Sequence, residues 1–122
     1  MNQTDRGAIA ESMAATWAYK QGWVVSWASR GQTPRYDLIM DDGRALHRVQ
    51  VKRAYLKDEV LVANLYHGKH TLYTPDDIDV FLIVDVDTRT LWWLPITGTA
   101  GKSRVRLTTP HMERHRVTTD NL

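Results

Sequence analysis

The stretch "YDLIMDDGRALHRVQVKRA", residues 36 to 54, constrains the fold more than any other part of the chain. Asp42-Gly43 is a strong two-residue hairpin signal, because both central positions of such a turn favour positive φ. "YDLIM" is therefore expected to pair with "ALHRVQVKRA". Side chains alternate across a strand, so Leu46, Arg48, Gln50 and Lys52 share one face and His47, Val49, Val51 and Arg53 the other. A two-residue turn pairs positions whose numbers sum to about 85, which sets Asp37 opposite Arg48. Gln50 is then a diagonal neighbour of Asp37, within a reach of ~7–8 Å.

Upstream, "TDRGAIAESMAATWAYKQG" reads as an amphipathic helix capped by Thr4 or Asp5 and ended by Gly22. Ile9, Met13 and Trp17 recur every four residues on one face. Glu11 lies about 200° around from Ile9, either exposed or reaching a neighbouring site. "WVVSW" is a short strand and "ASRGQTPR" a loop. Downstream, "EVLVANLY" is a strand, "HGKHTLY" a polar interruption and "TPDDID" a capped helical turn. "VFLIVDV" is apolar almost throughout, as for a strand covered on both faces. "TLWWLPI" returns from it, with Trp92 and Trp93 on opposite faces, one expected in the core and the other at an interface. "SRVRL" is one more strand, and the segment from Thr108 is an extension or a short helix. The order predicts an α/β or α+β domain around one mixed sheet.

Length matters here because 122 residues make one domain, 1–122, with a basic C-terminal extension from about residue 102. The longest apolar run, "VFLIV", is far below the roughly 20 residues that span a bilayer. No basic-then-apolar leader opens the sequence, so a cytoplasmic address is expected. With no cysteine, any metal must be held by oxygen or imidazole. The net charge of +2 is small, but basic residues cluster at Arg30, Arg35, Arg44, Arg48, Lys52 and Arg53 and again from Lys102 to Arg116. Either cluster is a solvated face or a surface for nucleic acid. His67 with His70, and His111 with His115, lack a third ligand in sequence and read as exposed or DNA-facing rather than as zinc sites.

Asp37 offers an anionic oxygen, Gln50 a neutral carbonyl oxygen, and Glu11 a second negative charge from the helix. Hard cations such as magnesium take oxygen donors of this kind. A lysine beside them can position or help deprotonate an attacking water and stabilise charge on a phosphate. The combination suits phosphodiester hydrolysis.

Glu11, then Asp37, then Gln50-Val51-Lys52, on helix, strand and hairpin partner, resembles the PD-(D/E)XK nuclease superfamily. Two branches are similar. Archaeal-type Holliday junction resolvases share the minimal size and a serine-containing loop comparable to "ASRGQTPR". Group I intron-associated endonucleases are similar in "RYDLIM", "RVQVKRA" and "YTPDDIDVFLIVDVDTRTLWWLPI", covering most of residues 7 to 96. Tyr36 stands where the motif has proline, and Gln50 where it usually has an acidic ligand, which removes one negative charge.

The resemblance implies a restriction-endonuclease-like α/β core: a mixed central sheet of about five strands with the N-terminal helix packed on it. It implies Mg2+, replaceable by Mn2+, held by Asp37, Gln50 and the main-chain carbonyl of Val51. Glu11 would assist directly or through water, and Lys52 would act on the nucleophilic water. DNA would be met by Ser29, Arg30, Arg35, Arg48, Arg53, Lys102, Arg104 and Arg106. Cleavage of four-way (Holliday) junctions by a symmetric homodimer is the leading expectation, because a minimal domain without an added reading module suits recognition of shape through phosphates. The alternatives are a site-specific homing-type endonuclease and a catalytically silent DNA-binding relative.

Overall fold

The computed structural model describes residues 2–29, 35–99 and 101–119. The first helix, α1 (Gln3–Lys20), starts two or three residues earlier than expected because Asn2 rather than Thr4 or Asp5 caps it, its Oδ1 accepting the Asp5 N–H at 2.8 Å. Its buried face is Ala10, Ala14, Ala15, Trp17 and Ala18, so small side chains let the helix lie close on the sheet. Ile9 and Met13, expected at the centre of that face, are half-buried at its margin.

Eleven strands are present among the described residues: β1 (Val24–Trp27), β2 (Leu38–Asp41), β3 (Leu46–Arg53), β4 (Tyr55–Lys57), β5 (Val60–Asn64), β6 (Tyr66–His67), β7 (Thr71–Leu72), β8 (Val80–Asp85), β9 (Thr90–Pro95), β10 (Arg104–Arg106) and β11 (Arg116–Val117). Six form the central sheet in the order β1-β2-β3-β8-β9-β11. Its pairs are antiparallel except β3 with β8, which run parallel, so the sheet is mixed. β10-β5-β4 and β6-β7 make two smaller sheets. A short helix, α2 (Pro110–Glu113), capped by Thr109, precedes β11, so this basic segment contributes a strand to the central sheet.

Every residue of β8 is buried, as its continuous apolar run requires. Val80, Leu82 and Val84 face α1 with Leu38, Met40, Val49 and Val51, while Phe81 and Ile83 face the other layer with Ala63, Leu65, Val105 and Leu107. Truncating Leu82, which is fully buried, to alanine is expected to cost about 2–5 kcal/mol. Trp92 joins the second cluster, and Trp93 packs against Trp17 and Trp23 with ring centroids 5.8 and 5.5 Å away. Both tryptophans therefore serve the interior, one on each side of the sheet. No helix among the described residues is long and apolar enough to cross a membrane.

The hairpin turn differs from the expected one. Asp41 pairs with Leu46, leaving a four-residue loop from Asp42 to Ala45. The Asp42 carboxylate stabilises this longer loop: Oδ1 accepts the N–H groups of Arg44 and Ala45, both at 2.8 Å, and Oδ2 meets His47 Nε2 at 2.8 Å. Those bonds, the histidine first, hold the Asp42 pKa down at about 2. Leu38 consequently faces Val49, and Asp37 comes opposite Gln50 rather than Arg48. The slip is two residues, an even number, so the faces read from the sequence are unchanged.

The "TPDDID" segment is a hydrogen-bonded turn, not a helix. Asp77 closes it by accepting the Thr74 N–H at 2.9 Å while its own N–H donates to the Thr74 carbonyl at 2.9 Å.

Candidate functional site

The site arises where the hairpin parts. β2 ends its pairing at Leu38 with Val49, whereas β3 runs on to Arg53 with only β8 beside it. Asp37 is fixed at the fork by its main chain, its N–H donating to the Val49 carbonyl at 2.8 Å and its carbonyl accepting the Ala28 N–H at 3.0 Å. Among the described residues Val51 has no strand partner on this edge, and a buried N–H without an acceptor is costly. Asp37 Oδ2 takes that role at 3.0 Å. N–H and C=O of one strand residue point the same way, so the Val51 carbonyl also looks into the fork, where Gln50 Nε2 lies 3.4 Å from it.

The N-terminal half of α1 closes the fork. Glu11, Asp37, Gln50, Val51 and Arg53 line one cleft of about 320 Å³ together with Thr4, Gly7, Ala8 and Ala10. The structure thus brings all four candidate metal-holding residues to a single concavity. Lys52 lies on the next pleat, its Nζ donating to the Tyr66 carbonyl at 2.8 Å and standing 5.2 Å from the centre of the Tyr73 ring.

Burial pushes the Asp37 carboxyl above its ordinary range, against the opposing effects of the Val51 hydrogen bond and the Lys52 charge. Burial likewise pushes the Lys52 ammonium down, and the Asp37 charge opposes it. Tyr73 is pushed up to about 12, chiefly by burial and then by the Asp37 charge, so its hydroxyl stays neutral. Asp37 and Lys52 stabilise each other's charged forms in a place that disfavours both.

A divalent cation fits this donor set. The carboxylates of Glu11 and Asp37, the Val51 carbonyl and the amide oxygen of Gln50 are donors of the kind a hard cation prefers, and a desolvated carboxylate with a raised pKa gains from a nearby positive charge. Among the described residues no three His, Cys, Asp or Glu side chains cluster as a metal cage. With two carboxylates, an amide oxygen and a main-chain carbonyl available, a bound cation would retain waters, which is the habit of magnesium.

The expected DNA contacts divide. Arg53 lines the cleft of Asp37 and also a second one of about 290 Å³ formed with Gln3, Lys52, Tyr55 and Asn64. Arg104 and Arg106 are exposed on β10, Lys102 is exposed just before it, and Ser29 is exposed after β1. Arg30 lies outside the described residues. Arg35 is engaged with His67 Nε2 and with Asp77 at 3.9 Å.

Arg48 is engaged within the chain. Its Nε and Nη2 grip both oxygens of Asp79 at 3.1 and 3.0 Å, and its terminal nitrogens also donate to the carbonyls of Pro75 and Asp76. Four bonds within the chain occupy a guanidinium that has five N–H groups, so Arg48 braces the turn before β8.

The sequence reading gives no role to Tyr66, the last residue of the expected strand "EVLVANLY", or to Tyr73, which ends the polar interruption "HGKHTLY". It is the turn of the β6-β7 hairpin, with Gly68 and His70 at positive φ and Tyr66 beside His70 at 4.7 Å. A glycine between two aromatic-bearing runs is the hairpin signal that was available. His67 packs on Tyr73 at 4.8 Å, and His111 lies 5.7 Å from His115. Neither pair has a third ligand among the described residues.

The family model described as PD-(D/E)XK endonuclease matches residues 1–121 of the chain. No curated protein matches it. Among solved structures, the chain is similar to a bacterial homing endonuclease, I-Ssp6803I, with a TM-score of 0.82 and 22% sequence identity over 95% of this chain and 89% of that one. That likeness establishes the restriction-endonuclease-like fold.

Proposed function

The chain belongs to the PD-(D/E)XK endonuclease family, and from that premise we propose that it is a magnesium-dependent endonuclease that hydrolyses DNA at specific duplex sites as a homodimer. The observation that carries this reading is the fork itself, where Glu11, Asp37, Gln50 and Val51 line one cleft and Lys52 stands beside it.

In the reaction a water oxygen bonds to phosphorus while one P–O ester bond breaks, and the departing sugar oxygen takes up a proton. Magnesium held by Asp37, Glu11, Gln50 and the Val51 carbonyl would neutralise phosphate charge and acidify the attacking water, with manganese able to replace it. Lys52 spends one donor on the Tyr66 carbonyl and has two more, one to orient the water and one for a phosphate oxygen as its charge grows. Because burial lowers its pKa, it yields a proton more readily than an ordinary lysine. Arg53, common to both clefts, suits a neighbouring phosphate. A two-fold dimer would set two such centres on opposing strands.

Site-specific cutting is supported by exposed arginines beside the catalytic cleft, which offer base contacts that recognition of shape alone does not need, and by the likeness to a homing endonuclease. Cleavage of four-way junctions remains the second reading, favoured by the single small domain and served by the same chemistry. A panel of four-way junction, replication fork and long linear duplex, with and without magnesium, tests both. Defined cuts in linear duplex support the reading, and cutting of junctions alone replaces it with resolvase activity. Binding without cleavage in magnesium or manganese would leave a DNA-binding module and overturn the nuclease assignment.

A further inference from the structure

The small sheet β10-β5-β4 packs one side on the core through Val105, Ala63 and Leu61, and the alternate side chains lie on its outer side, where Val62 is buried beneath its neighbours and Arg104 and Arg106 are exposed. Arg104 is paired with Asn64 there, and Arg106 with Val62, which pairs in turn with Tyr55. Three of the four polar members of these rows are tied together. Tyr55 Oη donates to Asn64 Oδ1 at 2.7 Å, and Arg104 Nε reaches the same oxygen at a long 3.4 Å. The cleft shared by Lys52, Arg53, Tyr55 and Asn64 makes this row continuous with the catalytic lysine.

We propose that the outer side of β10-β5-β4 is a base-reading surface that enters the major groove of duplex DNA beside the scissile phosphate, with Arg104 as its principal reader, aimed by Asn64. The inference rests on the chain being a DNA nuclease and adds which surface reads sequence. Three strands at ~4.8 Å spacing span about 10 Å, against a major groove about 12 Å wide. Charge agrees: Lys102, Arg104 and Arg106 are exposed on and before β10, while the acidic Asp58 and Glu59 lie in the β4-β5 turn, at the end of β4 away from Arg53. Asn64 engages Arg104 through Nε, and the Nη1 and Nη2 end suits the O6 and N7 acceptors of guanine.

The test is an equilibrium binding selection from a randomised linear duplex library, with calcium in place of magnesium, for the wild type, Arg104→Lys and Asn64→Ala, each checked for folding by circular dichroism. The wild type is expected to enrich a defined block of bases. Arg104→Lys keeps the positive charge yet should lose roughly 5- to 150-fold in discrimination at one or more guanines, the range of one bidentate contact. Asn64→Ala should relax the same positions. No enrichment by the wild type, or an unchanged preference in Arg104→Lys, overturns the proposal. Enrichment by a protein that never cuts in magnesium would sink the nuclease reading alone, whereas cutting without enrichment would sink this inference and the site-specific part of that reading while the nuclease assignment stands.

Discussion

The Asp37 carboxylate accepts the main-chain N–H of Val51 at 3.0 Å, across the point where β2 stops and β3 continues. The bond joins two candidate metal-holding residues and satisfies an amide that the parting hairpin leaves without a strand partner. It also keeps a carboxylate in a place where burial pushes its pKa up, so the site carries a charge that the fold would do better without.

Asp37→Asn should therefore stabilise the metal-free protein while abolishing cleavage, since an amide oxygen can still accept the Val51 N–H. A folded-state pKa above the unfolded value means the contribution to stability is present below the ordinary 3.8 and lost as pH rises through the folded value. Thermal unfolding in EDTA should show the Asn variant melting higher at neutral pH, with the gap closing towards acid. Magnesium should raise the melting temperature of the wild type and not of the variant.

The coupling between Asp37 and Lys52 has a definite direction. Removing the carboxylate charge in Asp37→Asn should lower the Lys52 pKa further, because Asp37 is the charge that opposes the effect of burial. Removing the ammonium in Lys52→Met should raise the Asp37 pKa further. NMR titration of the two side chains reads both shifts.

Tyr73 is expected to act through its ring, since its hydroxyl stays neutral with a pKa of about 12. Tyr73→Phe should cleave nearly as well as the wild type. Tyr73→Leu removes the aromatic face beside Lys52 and should slow cleavage by roughly 2- to 30-fold, the worth of a cation–π contact. Single-turnover rates at saturating magnesium distinguish the two variants.

Arg48 and Arg104 should separate stability from binding. Arg48→Ala breaks the grip on Asp79 and should lower the melting temperature without changing the salt dependence of DNA binding. Arg104→Ala should leave melting almost unchanged and weaken binding, and a flatter salt dependence, by about one unit of slope, would mark a phosphate contact added to base reading.

Much of the site was legible because strand alternation depends on parity alone. Asp42-Gly43 announced the hairpin, and although the Asp42 side chain lengthened the loop and moved the register by two, Asp37, Gln50 and Lys52 kept their faces. The helix angle left Glu11 either exposed or reaching a neighbouring site, the resemblance assigned it to the site, and it lines the cleft of Asp37. What escaped was set by contacts distant in sequence. Arg48 looked like any surface arginine until Asp79 was brought beside it by the parallel pairing of β3 with β8. Tyr66 contributes a carbonyl, which carries no residue-type signature, and the Tyr55, Asn64 and Arg104 row spans two strand pairings.

The central claim is that Lys52 and the cleft of Asp37 cut DNA. It is tested most directly by a magnesium time course on linear duplex bearing the bases enriched by binding, for the wild type, Lys52→Met and Asp37→Asn. The account predicts cleavage by the wild type in magnesium or manganese and none in EDTA, with both variants binding the DNA and Lys52→Met slower by ~10²–10⁴-fold. Cutting by Lys52→Met at the wild-type rate, or cutting by any of the three in EDTA, would contradict it.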